Sequence, residues 1–317
     1  MPALLLFLRG DLVASCSVLS ASRYFLLPFG IFALLSLSAR AELIRHDRDE
    51  NDYAERAKQP QFRCVAFLTV RLAPDFYRKR GTGVLIAPQW LLTNAHVAKL
   101  ADKETLDDHE WDIAGRKYHP QRIVLHPSYR VDKDAEVMSN GWDLGLVKLD
   151  RPVEEVTPAV CYADSDEVGQ TATLVGDGRV GDGINGPKLP YTKRLLAGEN
   201  VIDSVGAKIG TLTLGEGTLL FDFDHPNDPC VNYFGDSTPL NLEAGMSHGD
   251  SGGGIFVRKD DQWYLAGLMT FSPPRSGNLD EPPSERQLYD TYGQIGAGIR
   301  ISNKLQWINE VLGDRTD

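Results

Sequence analysis

From about residue 62 onward the chain is chopped into short apolar runs, and that chopping limits the folds open to it. CVAFLTVRL (64–72), GVLIAP (83–88), WLLT (90–93), RIVLH (122–126), LGLVKL (144–149), TATLV (171–175), GTLLFDF (217–223), GGIFV (253–257) and WYLAGLMTF (263–271) are rich in Val, Ile, Leu and Thr. Gly, Pro, Asp and Asn separate them. Short runs at such spacing predict an all-β sandwich or barrel rather than alternating βαβ units. A helical period emerges only in SNKLQWINEVLGD (302–314), where Leu305, Ile308 and Leu312 share a face. There Ser302 and Asn303 stand as N-terminal caps and Gly313 as the stop. No internal repeat of solenoid length is present. PPRSGNLDEPPSE (273–285), with two Pro-Pro pairs, reads as an exposed loop.

With 317 residues, 42% of them hydrophobic, the chain can bury one large core or two medium ones. A charged fraction of 24% argues against wholesale disorder. The net charge is -11 and no dense Lys/Arg run occurs. Such a surface repels phosphate, so no nucleic-acid partner is expected. YFLLPFGIFALLSLS (24–38) follows Arg23 and closes on Ala39-Arg40-Ala41. This is the layout of a secretory signal peptide over residues 1–41, cleaved after Ala41; it is too short and wrongly flanked for a membrane span. A second apolar patch, ALLLFL (3–8), lengthens the leader and leaves an uncleaved anchor as the alternative. LVASC (12–16) resembles a lipoprotein box, but Arg9 and Asp11 interrupt the stretch before it. Removing the leader leaves a net charge of -13 and three cysteines, Cys64, Cys161 and Cys230. Export permits one disulfide among them, with one thiol left over. Segment 42–61, ELIRHDRDENDYAERAKQPQ, is polar and charged and reads as surface.

Residues 245–254 read GMSHGDSGGG, and glycine and serine crowd together in turns for conformational reasons alone. Whether Ser251 is a nucleophile depends on partners elsewhere. Histidines stand at 46, 96, 109, 119, 126, 225 and 248, none of them after Ser251. GDSGG satisfies G-x-S-x-G, but the α/β-hydrolase elbow places its histidine after the serine, so that reading fails. The order His, Asp, Ser is available. His96 lies in LLTNAHVAK (91–99), after an apolar run and in a stretch able to turn into a short helix. Asp143 lies in GWDLGLVKLD (141–150), opening a strand whose backbone can hold the acid while its oxygens face an imidazole. His119 and His126 each abut a proline and read as loop or strand-end residues. GDGRVG (176–181) matches G-x-G-x-x-G after a strand, but DGINGPKLP follows where a dinucleotide site needs a helix. It reads as a loop.

GTGVLIAPQWLLTNAHVA (81–98), RIVLHPSYR (122–130), WDLGLVKL (142–149), GDSGG (249–253), WYLAGLMTF (263–271) and GAGIRISNKLQWI (296–308) resemble, in the same order, segments of the trypsin-like (chymotrypsin-fold) serine proteases. The resemblance runs from about 62 to 313 and is to a secreted, bacterial-type member. It implies an all-β fold of two Greek-key antiparallel β-barrels, 62–160 and 161–301, closed by a C-terminal α-helix and tail, 302–317. The site would lie in the crevice between them. Ser251 would attack a scissile carbonyl, His96 would take and return its proton, and Asp143 would fix the imidazole tautomer. The N–H groups of Gly249 and Ser251 would form the oxyanion hole, a side chain at Gly249 being an obstruction there. Thr270 occupies the family's serine position, where it would brace Asp143 and offer its carbonyl to substrate. The implied protein is a monomeric serine endopeptidase, secreted or periplasmic, acting on polypeptides without metal or organic cofactor. No stable membrane association is expected once the leader is removed. A catalytically silent binding protein and an esterase on the same scaffold are the alternatives.

Departures from the family bear on specificity. Gly245 stands where trypsins carry an aspartate, so a substrate Arg or Lys before the cut (P1) would lack its anion. A small or neutral P1 residue is expected. Ser272 and Gly296 correspond to two pocket-wall glycines, and Ser272 narrows the pocket. His248 with Ser272 could receive an acidic P1 side chain, or His248 lines the rim. In trypsins the carboxylate matching Asp250 is buried against an N-terminal ammonium freed by zymogen cleavage. Here no IVGG-like start occurs and Ile44 is the nearest candidate, so further trimming and an internal cation both stay open. Cys161 aligns with the family's interdomain cysteine, its partner being Cys64 or Cys230. Insertions occupy roughly 217–243 and 273–292; within the first, acid-rich DFDHPNDP (222–229) reads as a solvated loop rather than a calcium site.

Overall fold

A computed structural model describes residues 42–313 apart from 75, 101–103, 131–133, 188–193 and 280–289. The expected leader lies outside the described residues. Strands Val65–Ala73, Phe76–Ala87, Trp90–Thr93, His109–Ile113, Arg116–Tyr118, Pro120–Leu125 and Gly145–Leu149 form a 7-stranded sheet. Every adjacent pair in it is antiparallel. The second sheet is 8-stranded: Thr171–Gly176, Leu196–Val201, Ser204–Ile209, Leu212–Asp222, Gly254–Lys259, Gln262–Phe271 and Ile295–Arg300, with Val160–Cys161 alongside Gln262–Phe271. These are the two antiparallel β-barrels expected, and each apolar run quoted above supplies one of their strands.

The alternation of side chains along a strand explains how the barrels fill. In His109–Ile113, His109, Trp111 and Ile113 are buried while Glu110 and Asp112 are not. Leu68, Val84, Leu92, Trp111 and Leu146 meet inside the first barrel, and Leu174, Phe221, Ile255 and Met269 inside the second. Burying a side chain of this size contributes roughly 1.5–3 kcal/mol, which makes these cores the main stabilising element. A third small sheet joins Leu43–Ile44 to Gly181–Asp182 and Ala244–Gly245. The C-terminal helix is Leu305–Gly313, with Ile308 buried and Leu305 and Leu312 packed against the core. No described helix is long and apolar enough to cross a membrane.

Four expectations are corrected. Segment 42–61 is not simply surface: Leu43 and Tyr53 are fully buried, and helix Glu50–Ala57 begins on an Asp49 side chain accepting from Asn51 N–H at 2.8 Å. Its charges mislead because several are paired, Arg45 with Asp47 and Glu50 with Arg194. Ser302 and Asn303 do not cap the final helix; their side chains donate to Glu167 Oε1 (2.7 Å) and the Glu216 carbonyl (3.0 Å). At the start of the proline-rich segment Pro273 and Pro274 are buried, and Arg275 donates to the carbonyls of Gly293 and Val231; residues 280–285 lie outside the described set. Cys64, Cys161 and Cys230 are all free thiols. Burial pushes Cys64 up to about 12 and Cys161 up to about 11, which keeps both as inert thiols.

Candidate active site

Strand Trp90–Thr93 pairs with Gly145–Leu149 so that Thr93 lies opposite Gly145. The turn carrying His96 and the residue before the second strand, Asp143, therefore emerge at the same edge of the first barrel. Two bonds lock the turns together: the Asp143 carbonyl accepts from Ala95 N–H (3.1 Å) and from the Asn94 side-chain amide (3.2 Å). Asp143 is almost wholly buried. Its Oδ1 accepts the backbone N–H of His96 at 2.9 Å, and its Oδ2 accepts His96 Nδ1–H at 2.5 Å and Thr270 Oγ1–H at 3.0 Å. Three donors on one desolvated carboxylate hold it ionised and oriented. A carboxylate can only accept, so Nδ1 carries the proton and the partly exposed Nε2 is left as a proton acceptor.

Ser251 reaches this cluster from the second barrel. Its hydroxyl donates to the Thr270 carbonyl at 3.4 Å, so Thr270 touches Asp143 with its side chain and Ser251 with its backbone. The first barrel grips the serine loop in turn. Thr82 N–H donates to the Ser251 carbonyl at 2.8 Å and Thr82 Oγ1 to the Gly249 carbonyl at 3.3 Å. Among the described residues, no hydrogen bond uses the N–H of Gly249 or of Ser251. Gly249 has φ +108°, and a Cβ there would lie 3.0 Å from Gly178 Cα. The need for glycine is thus conformational, where the sequence suggested obstruction of an oxyanion.

Asp250 is fully buried, its carboxylate accepting from Gly178 N–H (2.8 Å) and Ser247 N–H (2.7 Å). A Cβ on Gly176 or Gly178 would come within 2.3 or 2.5 Å of Asp250 Oδ1. The glycines of GDGRVG therefore make room for this carboxylate. Burial pushes Asp250 up to about 7, against the pull of the two N–H donors. Glu42 is also fully buried, with both carboxyl oxygens lacking a hydrogen bond. Burial, and then the charge of Asp250, raise it well above the usual carboxylate range. Two buried acids thus face one another at the start of the described chain.

Phenyl rings occupy the space beside the glycines expected to line the pocket. A Cβ on Gly245 would sit 2.9 Å from the Phe223 ring, and one on Gly296 2.2 Å from the Phe221 ring. Ser272 is half-buried nearby, and His248 is exposed on the rim. Partial burial, then Arg179, Arg78 and His96, hold the His248 imidazole below its usual range. Asn94, Thr82 and Glu42 were not singled out beforehand. Only the sequence TNAH hinted at Asn94, since an asparagine before a helix is a common cap, yet its side chain serves Asp143 instead.

The sequence matches the family described as Trypsin over residues 54–208. It is 24% identical over 255 residues to vitamin K-dependent protein C of Rattus norvegicus, an alignment covering 74% of this chain and 46% of that protein. It is 27% identical over 255 residues to haptoglobin of Sus scrofa, covering 73% and 62%. With tryptase of Mus musculus it shares 24% over 262 residues, covering 73% and 77%. The chain thus spans 46% and 62% of the lengths of the first two of these relatives. Among solved structures it resembles neuropsin, a serine protease expressed in the limbic system of mouse brain, with a TM-score of 0.56 at 18% identity, over 80% of this chain and 95% of that one. Sequence and fold agree, and the chain belongs to the trypsin-like, chymotrypsin-fold family of serine proteases.

Proposed function

We propose that the protein is a serine endopeptidase working through Ser251, His96 and Asp143. The observation that carries this reading is the Asp143 carboxylate, which accepts from both the His96 ring and Thr270 while Thr270 holds Ser251. Rotation about the Ser251 Cα–Cβ bond moves its hydroxyl from the Thr270 carbonyl toward Nε2 of His96. Nε2 takes the proton as Oγ bonds to the scissile carbonyl carbon. The N–H groups of Gly249 and Ser251 stabilise the oxyanion. Return of the proton to the leaving amine breaks the C–N bond and leaves an acyl-enzyme, which water hydrolyses by the same steps in reverse. The freed Thr270 carbonyl then accepts from the substrate backbone. The rings of Phe221 and Phe223 favour a small, neutral P1 residue, with His248 on the rim.

The setting is that of an exported, bacterial-type protease, secreted or periplasmic, its polypeptide substrates met by a monomer. Removal of the leader after Ala41 would give Glu42 a free α-ammonium. That cation would be created beside two buried carboxylates, those of Asp250 and of Glu42 itself, and would supply the charge they lack. A fluorophosphonate probe tests the reading. Labelling of the folded protein that disappears in Ser251→Ala, with cleavage of peptide substrates, is the expected result. Absence of labelling would favour a silent binding protein, and ester hydrolysis without peptide cleavage an esterase.

A further inference from the structure

His96 returns its proton to the departing amine, so groups beside His96 and away from Gly245 face the leaving segment of a substrate. Strand Phe76–Ala87 borders this side. A Cβ on its Gly81 would lie 3.0 Å from the Ser251 carbonyl oxygen, and the next residue, Thr82, grips the serine loop. The loop after Thr171–Gly176 arrives from the second barrel. Arg179 N–H donates to the His248 carbonyl at 2.9 Å and lies 3.9 Å from where a Gly249 Cβ would stand. A direct hydrogen-bonded ion pair, Lys79 to Asp177, clasps strand to loop. Arg78 adjoins one half of this clasp and Arg179 lies two residues beyond the other.

The charges here do not cancel. Asp177 neutralises Lys79, and Glu104 neutralises Arg80 at 2.5 Å. Arg78 is exposed and has no ion pair among the described residues. Arg78 and Arg179 both act on the His248 ring, which places the two guanidinium groups around the same rim residue. On a chain of net charge -11 this is a local positive patch. Within a cleft, such a patch attracts groups of opposite charge.

We infer that Arg78 and Arg179 form a cationic subsite on the leaving-group side of the cut, selecting polypeptides with Asp or Glu in the first two positions after the scissile bond. The inference rests on the proposed peptidase activity. The test uses internally quenched peptides identical but for Asp, Ala or Lys at those positions, beside a chromogenic substrate that carries no residue after the cut. Wild type should favour Asp over Lys by about five- to tenfold in kcat/KM, mainly through KM, because two partly screened ion pairs supply the difference. The ratio should shrink toward one at about 0.5 M salt. It should fall in Arg78→Ala and invert in Arg78→Glu; because Arg78 is exposed, these variants do not depend on a buried side chain for folding. Equal rates for Asp, Ala and Lys, or an unchanged ratio in Arg78→Glu, would overturn the inference while turnover of the chromogenic substrate leaves the peptidase reading standing. If wild type cuts neither substrate, the peptidase reading fails, and peptide affinity for Ser251→Ala then judges the subsite: tighter binding of the Asp peptide that Arg78→Glu abolishes supports it, and equal affinities overturn it.

Discussion

Asp143 concentrates the chemistry of the site in one side chain. It receives two N–H bonds from His96 and a hydroxyl bond from Thr270, and each needs an anionic acceptor. Asp143→Asn would keep the volume but present an amide N–H to the ring, favouring the tautomer with its proton on Nε2. We expect kcat to fall by about 10³- to 10⁴-fold with little change in fold, checked by steady-state kinetics beside circular dichroism. A loss below about tenfold would remove Asp143 from the mechanism. At this scale the sequence was legible in the order of His96, Asp143 and Ser251, because covalent order survives folding. It was silent about Thr82 and Glu42, whose roles come from neighbours far along the chain.

Among the elements, the end of strand Leu212–Asp222 carries an unusual charge load. Asp224 is buried and Oδ1 lacks a hydrogen bond. Burial, then Asp222, Asp203 and Asp236, push it up to about 7; burial and Asp222 push Asp203 up to about 7 as well. Their folded values lie above the usual 3.8, so the native state binds more protons than the unfolded chain between about pH 4 and 7. The stability they contribute is full below that window and is lost as pH rises through about 7. Denaturant unfolding should therefore show Asp224→Asn more stable than wild type at pH 8 by about 1–3 kcal/mol, the gain vanishing near pH 4. A gain independent of pH would contradict this account. The strands with apolar runs were legible because period and composition are local properties. Ser204–Ile209, mostly half-buried, and Leu43–Ile44, only two residues long, offered no such pattern.

For the whole molecule, the start of the described chain is tied to the site. Leu43 pairs with Gly245 and Glu42 lies against Asp250, one residue from Ser251. Leaving buried carboxylates unpaired costs several kcal/mol, so a cation supplied at Glu42 would be strongly stabilising. Protein secreted by a host that removes the leader should begin Glu-Leu-Ile-Arg on N-terminal sequencing. It should also melt several degrees above a form extended by residues before Glu42. Equal melting temperatures and equal activity would exclude the N-terminal ammonium as the partner of Asp250.

By itself the sequence determined the β-rich architecture, the closing helix and the order of the three candidate catalytic residues, because strand periodicity and chain order are written residue by residue. Only the tertiary structure decided that GDGRVG cradles Asp250, that Phe221 and Phe223 cover the pocket glycines and that no cysteines bridge. It also brought Thr82 onto the serine loop and Glu42 beside Asp250. The Thr82, Asp250 and Glu42 contacts join residues tens to hundreds of positions apart. Their distances are set by how the strands close into barrels, which no local pattern encodes.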